Sequence, residues 1–397
     1  MRLPRRGSGL LITIEVLVLA IVIVIGVLYK TGTFTKEAIG KKSNSDNAKK
    51  EIVIDKNSSD ENSIGDGETE EGVSEEDALV EKYLSDMTLE QKVAQLFFIT
   101  PEKLTGYGTV TSAGTSTESS ISKYPVGGLI YSGKNFENEK QIQEMLENTN
   151  KYMVDAVNIP AFLAVAELGG DNASQLAIAL GKEAMDSPLT IGGSELPSTA
   201  GTSAKKIGDY TRNAGFNMVF APIADIALAD LSFGLNTDVT AAMVAESISG
   251  FNEKDLYTVT ASFPASGMDN LVPYKAAVNA NTEIMIMTND KVEGLSSDEP
   301  CSLSKKAVSY LRDDMEYDGI IMTGNLSERA ITGNYDSSEA AVKAIEAGVT
   351  MLYMPNTFSE AYDAVLNAVN NGDISEDTID ENVGRIIKAK ASMLKSE

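Results

Sequence analysis

The stretch YDGIIMTGNLSERA, residues 317–330, decides how the chain folds. Its apolar run at 319–323 ends abruptly and is followed by a helical pattern, which is typical of a buried strand in a parallel sheet. In a barrel of alternating strands and helices, chemistry gathers at the carboxyl end of each strand. Here that end offers Thr323, Gly324 and Asn325, which supply no acid, base or nucleophile. The stretch therefore predicts an enzyme-like scaffold that has lost its chemistry.

Short apolar runs of the same kind recur along the chain, each followed by a helical pattern. The runs lie at residues 96–100, 128–132, 162–167, 218–225, 257–264, 283–289, 319–325 and 350–355. Such strands, separated by helices, indicate an α/β fold whose parallel sheet is covered on both faces. Eight units in about 320 residues predict a TIM-type β/α barrel over residues 77–397. An open, doubly wound sheet is the alternative, since the sequence does not prove that the sheet closes.

Sequence patterns between the apolar runs predict where helices begin and end. Thr88, with Gln91 three residues later, has the form of a capping box at a helix start. Apolar residues at helical spacing between residues 142 and 156 predict an amphipathic helix. Ser337 begins a further helix, which Gly348 ends before the last strand.

The first 29 residues have the pattern of a membrane anchor. Three arginines, Arg2, Arg5 and Arg6, precede an apolar run of nineteen residues at 10–28. At about 1.5 Å per residue this run just spans a bilayer core of about 30 Å. The basic flank predicts a single-pass protein of the cell membrane with its N-terminus inside and the rest outside. No small-residue cleavage site follows the run, which favours a retained anchor over a cleaved signal peptide.

Residues 30–76 are polar and poor in aromatic side chains, and their second half is acidic. Because this composition buries too little apolar surface to fold, a disordered linker is predicted. About 45 flexible residues reach roughly 35–40 Å, which would hold the folded domain away from the membrane.

Charge and residue usage exclude several classes of function. The chain has 33 Lys and Arg against 58 Asp and Glu, a net charge of −25. This charge argues against nucleic acid and anionic membrane surfaces as partners, because their phosphates would be repelled. The chain has no histidine, and Cys301 is its only cysteine. Without imidazole there is no His-dependent triad and no ordinary zinc site, so neither a metal nor a cofactor is predicted.

The predicted strand ends supply a polar but weakly reactive set of residues. In order they are Thr100, Ser132, Glu167, Asp225, the loop 262–269, Asn289, residues 323–325 and Pro355. Glu167 and Asp225 stand out, because glycoside hydrolysis commonly needs two carboxylates that flank one bond. The alternative is structural: Asp225 braces its loop, and Glu167 is solvated at a loop mouth.

Five segments together resemble glycoside hydrolase family 3, in its single-barrel β-N-acetylhexosaminidase branch. They are MTLEQKVAQLFFI at 87–99, YPVGGLIYSGKNF at 124–136, AGFNMVFAPIADIA at 214–227, and the stretches 299–331 and 339–355. The resemblance extends over residues 87–393, most of the predicted folded part. It implies a barrel domain and an ancestry among enzymes that hydrolyse N-acetylglucosaminides.

The resemblance fails at the positions that the family uses for catalysis. The family nucleophile is the first Asp of a Ser/Thr-Asp-Asp-Leu run, and its position here is Gly324. The family's Lys-His-Phe-Pro-Gly-His-Gly loop is residues 261–267, with Ala261, Ser262 and Ser266 in place of the lysine and both histidines. The acid/base segment that follows is shortened to residues 268–270. The resemblance therefore implies no catalytic residue in this chain.

Three functions are compatible with this combination. The first is a non-catalytic protein on the cell exterior that binds a cell-wall glycan or another extracellular protein. The second is a working β-N-acetylhexosaminidase-type glycosidase that recruits displaced carboxylates, and the third is a structural scaffold with a filled cleft. The candidate cleft-lining residues are Glu167, Asp225, Ser262, Ser266, Asp269, Thr323 and Asn325. Because the chain has no tryptophan, Tyr131, Tyr274 or Phe263 would have to stack against a sugar.

Overall fold

The computed structural model of the chain describes residues 74–227 and 229–394. The predicted membrane anchor and nearly all of the predicted linker lie outside these residues. Within them, no helix combines the length and the apolar character that crossing a membrane requires. A compact unit begins at Glu75, so residues 75 and 76, which the sequence placed in the linker, are instead the first two residues of a helix.

Eight parallel strands form the sheet of this unit. They are β1 (Phe97–Ile99), β2 (Gly128–Tyr131), β3 (Phe162–Val165), β4 (Met218–Val219), β5 (Tyr257–Phe263), β6 (Ile284–Met287), β7 (Ile320–Met322) and β8 (Leu352–Tyr353). Each strand pairs with its neighbour in the chain, and β8 pairs with β1. A parallel bridge between Met322 and Met351, with Thr323 N donating to Met351 O at 3.0 Å, joins β7 to the start of β8. This closure confirms the TIM-type barrel, and the open sheet is wrong.

Helices connect the strands and cover the barrel. Before β5 they are α1 (Glu75–Asp86), α2 (Leu89–Gln95), α3 (Pro101–Thr105), α4 (Thr115–Lys123), α5 (Glu139–Val157), α6 (Gln175–Ala179), α7 (Pro188–Gly192), α8 (Pro197–Asn213) and α9 (Thr237–Asn252). After β5 they are α10 (Val272–Asn279), α11 (Lys305–Ser309), α12 (Arg329–Thr332), α13 (Ser337–Glu346), α14 (Phe358–Asn371), α15 (Glu376–Ala389) and α16 (Ala391–Leu394). Short 3-10 turns occupy Gly133–Asn135 and Cys301–Leu303, and a π-helical turn occupies Tyr310–Asp314.

The local sequence signals form the helix ends that they predict. Thr88 Oγ1 accepts from Gln91 N at 3.3 Å, and Gln91 Oε1 accepts from Thr88 N at 2.9 Å, which completes the capping box of α2. The apolar stripe of α5 is buried. Helix α13 begins at Ser337, and Gly348, with φ of +96°, takes the left-handed conformation two residues after it ends.

Successive residues of β1 fill the space under the helices and the interior of the barrel. Phe97 meets Phe358 of α14 with ring centroids 5.2 Å apart, whereas Phe98 meets Phe220 and Tyr353 at 5.4 Å and 6.3 Å. One hydrophobic core extends from residue 80 to residue 387. The unit therefore contains the core that it needs to fold by itself.

The last two helices, α15 and α16, lie at the amino ends of the strands. Asn382 of α15 donates to Val349 O, just before β8, at 3.3 Å. Lys390, which follows α15 and is fully buried, donates to Gly127 O at 2.9 Å and to Gln95 Oε1 at 3.2 Å. Burial lowers the pKa of Lys390 to about 7. These helices cover that end of the barrel, so the candidate site is sought at the carboxyl ends of the strands.

Candidate functional site

Gly324, which the resemblance places at the family nucleophile position, lies just after β7 and is buried. A Cβ atom added there would stand 2.6 Å from Cγ and Oδ1 of Asn289 and 2.7 Å from its Nδ2. Real Cβ atoms essentially never approach other heavy atoms closer than 3.0 Å. The space in which a nucleophilic side chain would begin is therefore occupied by the Asn289 amide.

Asn289 is held in this place by both ends of its amide. The residue is 5% exposed, and its Oδ1 accepts from Ser302 Oγ at 2.6 Å. Its Nδ2 donates to Asn325 O at 2.8 Å and to Glu328 Oε2 at 3.0 Å. Moving the amide to admit a side chain at residue 324 would break these bonds, each of which contributes about 1 kcal/mol.

Thr323 and Asn325, which flank Gly324, are also engaged within the protein. Thr323 is fully buried, and its Oγ1 accepts from the backbone N–H of Tyr353 at 2.9 Å. Asn325 is partly exposed, and its Oδ1 accepts from N and Oγ of Ser327 at 2.9 and 2.6 Å. This Asx turn shapes the loop that leads to α12. Of the two side chains, Asn325 is therefore the one that reaches the surface of the site.

Asp225 follows β4 and is surrounded by donors from the end of β5 and from the chain that follows it. Its Oδ2 accepts from N and Oγ of Ser262 at 3.3 and 3.2 Å. Its Oδ1 accepts from Tyr274 Oη and, at the longer distance of 3.5 Å, from Ser266 Oγ. Burial raises the pKa of Asp225 to about 6, against the opposite effect of these donors. Because a carboxylate accepts about four hydrogen bonds, Asp225 braces its loop, as in the structural interpretation.

Ser262 and Ser266, which the resemblance matches to two family histidines, turn their hydroxyls toward Asp225. Ser266 Oγ also accepts from Ile226 N at 2.7 Å, which ties the loop after β4 to the loop after β5. Asp269 is exposed on the second of these loops, and Ala261 offers a methyl group in place of the family lysine. The structure thus brings Asp225, Ser262 and Ser266 together into one internally bonded cluster.

Glu167 is placed differently from the expectation. It follows β3 but is fully buried, and its Oε2 accepts from Leu176 N at 3.1 Å. Its Oε1 accepts from Ala177 N at 3.3 Å and from Tyr210 Oη at 2.8 Å. Burial raises the pKa of Glu167 to about 7. The expectations that Glu167 lines a cleft or is solvated at a loop mouth are wrong, because this carboxylate fastens the loop after β3 to α8.

Two aromatic rings, Phe220 and Tyr353, are partly exposed at the carboxyl ends of β4 and β8. Their ring centroids lie 5.5 Å apart. The aromatic residues that the sequence offered for stacking against a sugar, Tyr131, Tyr274 and Phe263, are each no more than 2% exposed. That expectation is wrong, and the pair Phe220 and Tyr353 takes their place as the aromatic surface of the site.

Sequence reasoning missed three features of this site. The pattern puts Asn289 at a strand end, but nothing in it shows that the amide faces Gly324. Tyr274, the donor to Asp225, lies in a helix and carries no motif. Glu328 is partly buried beside Asn289, and burial raises its pKa. Among residues 74–227 and 229–394, no three His, Cys, Asp or Glu side chains are grouped so that they could hold a metal ion.

Comparison with known proteins agrees with this architecture. The family model described as Glycosyl hydrolase family 3 N terminal domain matches residues 88–270 and 267–389. The chain is 26% identical over 222 residues to beta-hexosaminidase LpqI of Mycobacterium tuberculosis, covering 47% of this chain and 57% of that protein. It is 22% identical over 331 residues to beta-hexosaminidase A of Pseudoalteromonas piscicida, covering 70% of this chain and 55% of that protein. The chain therefore spans little more than half the length of these relatives.

Solved structures with the same fold include two sugar-cleaving enzymes. A glycoside hydrolase family 3 beta-N-acetylglucosaminidase from Paenibacillus sp. str. FPU-7 matches with a TM-score of 0.72 and 24% identity, over 78% of this chain and 64% of that chain. The beta-N-acetylhexosaminidase from Beutenbergia cavernae matches with a TM-score of 0.68 and 20% identity, over 77% of this chain and 99% of that chain. At these identities the likeness establishes the shared fold.

Proposed function

The chain belongs to glycosyl hydrolase family 3, and we propose that within this family it is a catalytically inactive member, anchored in the cell membrane with its barrel outside. Its proposed role is to bind a cell-wall-type glycan or a partner protein at the carboxyl ends of the strands. One observation carries the proposal: the nucleophile position is a glycine, and the amide of Asn289 fills the space beside it. The anchor is supported by the apolar run at residues 10–28.

Retaining hydrolysis needs one carboxylate that attacks the sugar and one group that protonates the leaving oxygen. Gly324 supplies no carboxylate, and the loop that carries the family histidines holds Ser262 and Ser266 instead. Asp225 is occupied by donors from within the protein, and Glu167 has no exposed surface. Because catalytic residues act as a unit, losing all of them together leaves little rate to recover.

An active glycosidase with displaced carboxylates has one feature in its favour, Glu328. Burial raises the pKa of this side chain, and a raised pKa suits a general acid. Retaining hydrolysis would also require a second carboxylate about 5–5.5 Å away. Asp225 and Glu167 are committed to internal hydrogen bonds, so we favour the inactive member.

A binding role is supported by the aromatic surface of the site. Phe220 and Tyr353 present partly exposed rings, and aromatic faces are suited to packing against the apolar face of a sugar. Binding needs neither a nucleophile nor a proton donor, so the losses at Gly324 and Ser262 leave this role intact. A glycan of the N-acetylglucosamine type is chosen because similar proteins are named hexosaminidases and beta-N-acetylglucosaminidases.

The test of inactivity uses residues 75–397, which contain the complete barrel. This protein, at high concentration, is incubated with an aryl β-N-acetylglucosaminide beside the double variant Asp225→Asn/Glu328→Gln, which controls for contaminating enzyme. We expect the two samples to release the same background amount of aryl alcohol. Turnover that disappears in the double variant would reveal a relocated site and overturn the proposed inactivity.

Glycan binding is tested on the same protein by calorimetric titration with oligomers of N-acetylglucosamine. We expect binding that weakens about thirtyfold in the variant Phe220→Ala/Tyr353→Ala, because stacking contributes on the order of 1 kcal/mol per ring and the variant removes two rings. If no oligomer binds, the proposed glycan binding is refuted, and binding of a partner protein is the remaining proposal.

A further inference from the structure

The exposed large apolar side chains of the barrel share one face. Among the described residues they are Tyr107, Ile178, Leu196, Leu235 and Val272, each about half exposed or more. Tyr107 lies in the segment after β1, Ile178 and Leu196 lie in the segment after β3, and Leu235 and Val272 lie after β4 and β5. All five therefore follow the carboxyl ends of strands. Single exposed apolar residues are ordinary, whereas exposed apolar residues on neighbouring elements indicate an interaction surface.

Three of these side chains stand at the starts of neighbouring helices. Leu196 directly precedes α8, Leu235 precedes the N-cap of α9 by one residue, and Val272 is the first residue of α10. Helix α9 packs against both α8 and α10, so the three helix starts lie side by side along the rim of the barrel.

The loops that carry these helix starts are also joined directly. Gly192 approaches Phe233 so closely that a Cβ atom on the glycine would stand 1.9 Å from Phe233 O. The Ile226 N to Ser266 Oγ bond joins the loop after β4 to the loop after β5. These contacts join the three loops that precede α8, α9 and α10.

Exposed acidic residues lie close in sequence to each of these aliphatic residues. Glu195, Asp238 and Asp269 are exposed and lie within three residues of Leu196, Leu235 and Val272 respectively. The segments 183–197, 229–240 and 265–275 together contain six acidic residues and one basic residue. We name the surface formed by Leu196, Leu235, Val272, Glu195, Asp238 and Asp269 the acidic–apolar rim.

We propose that the acidic–apolar rim docks a protein segment that presents apolar and basic side chains together. The aliphatic residues would bury against the apolar side chains of the segment, while the carboxylates would pair with its lysines and arginines and steer its approach. A second copy of this chain would bring equal negative charge to the same place, so it fits less well. The inference rests on the proposed binding role and specifies the class of partner that is bound. It does not depend on the absence of catalysis.

The test uses residues 75–397 and three synthetic twelve-residue peptides, composed of leucine and lysine, of serine and lysine, and of leucine and glutamate. Affinities are measured by fluorescence anisotropy. We expect the leucine–lysine peptide to bind at least about tenfold more tightly than either of the others, because it alone satisfies both chemistries.

Two triple variants locate the binding on the rim. Leu196→Ser/Leu235→Ser/Val272→Ser removes the aliphatic side chains, and Glu195→Gln/Asp238→Asn/Asp269→Asn removes the charges at nearly constant shape. Each triple is expected to weaken binding of the leucine–lysine peptide at least about tenfold. Thermal melts confirm that each variant remains folded.

Two control variants separate the rim from the rest of an acidic protein. Glu139→Gln/Glu144→Gln/Glu147→Gln neutralises three exposed carboxylates of α5, and Tyr107→Ser removes an exposed ring after β1. Neither is expected to change the affinity. Absence of binding, or equal weakening by both charge variants, would overturn the inference.

Self-association is tested by sedimentation of the wild type and of the aliphatic triple variant. If the wild type is a dimer and the triple variant is a monomer, the rim binds a second copy of this chain and the inference is overturned. The aryl glycoside assay on the same samples reports separately on catalysis. A catalytically active protein that still binds the leucine–lysine peptide through the rim would refute the proposed inactivity and leave the rim in place.

Discussion

The packing of Asn289 against Gly324 gives the sharpest prediction, which concerns Gly324→Ala. The added methyl carbon would meet three atoms of the Asn289 amide at 2.6 to 2.7 Å. Gly324 does not have a positive φ, so the backbone accepts alanine and the cost comes from the contact with Asn289. Because Asn289 is almost fully buried and bonded at both ends, it has no free direction in which to move.

The magnitude follows from these contacts. Forcing a methyl group into a packed site costs about 1–3 kcal/mol. Displacing Asn289 also weakens its bonds to Ser302, Asn325 and Glu328, each of which contributes about 1 kcal/mol. Movement of Asn289 away from the added methyl group relieves part of the steric contact but weakens some of its hydrogen bonds. We therefore expect Gly324→Ala to lower the free energy of unfolding by about 2–4 kcal/mol.

The measurement is urea unfolding of residues 75–397, followed by circular dichroism. Gly108→Ala is the matched control, because a Cβ atom there would meet nothing within 4 Å. That substitution is expected to change the free energy of unfolding by no more than about 0.5 kcal/mol. The same measurements on Asn289→Ala and on the double variant complete a double-mutant cycle.

The cycle decides whether the two residues compete for one space. Once the Asn289 amide is removed, alanine at residue 324 should cost little, so we expect a coupling free energy of about 1–3 kcal/mol in favour of the double variant. Additive effects, or a Gly324→Ala variant as stable as Gly108→Ala, would refute the argument that Asn289 fills the nucleophile position.

Three further predictions concern stability. Burial lowers the pKa of Lys390 from 10.5 to about 7. Between these two pH values the unfolded chain binds one more proton than the folded protein, so the free energy of unfolding rises with pH by about 1.4 kcal/mol per pH unit. Urea unfolding at pH 8 and at pH 9.5 should show this rise in the wild type and not in Lys390→Met. At pH 8, Tyr274→Phe removes a donor to ionised Asp225 and should cost about 1.5–3 kcal/mol in urea unfolding, whereas an unchanged midpoint would show that the bond is unimportant. Thr88→Ala should lower stability by about 1 kcal/mol through loss of the capping box, and Thr88→Ser should retain most of it.

The internal bonding of the site also bears on how such a protein evolves. Asp225 and Glu167 follow strands of an enzyme-like barrel, yet both now serve as acceptors for donors within the fold. A carboxylate in that role contributes to the shape of its loop and is costly to replace, because its donors would be left unpaired. Polar residues in such a site can therefore be retained for stability alone.

The sequence by itself determined the fold and the absence of a carboxylate at residue 324. Only a few folds bury apolar runs that alternate with helical patterns. The eight runs form the eight strands of the barrel. The absence of histidine and the glycine at residue 324 are properties of the sequence and need no structure.

Tertiary structure decided which side chains meet. Gly324 and Asn289 are 35 residues apart, Asp225 and Tyr274 are 49 apart, and Glu167 and Tyr210 are 43 apart. Local sequence patterns predict burial and backbone conformation. They do not predict which polar side chains form hydrogen bonds between different strands and loops, because that depends on strand register and on the paths of the loops. For that reason Glu167 was expected in a cleft and lies in the core, and the aromatic surface and the acidic–apolar rim emerged once the strand ends were brought to one face.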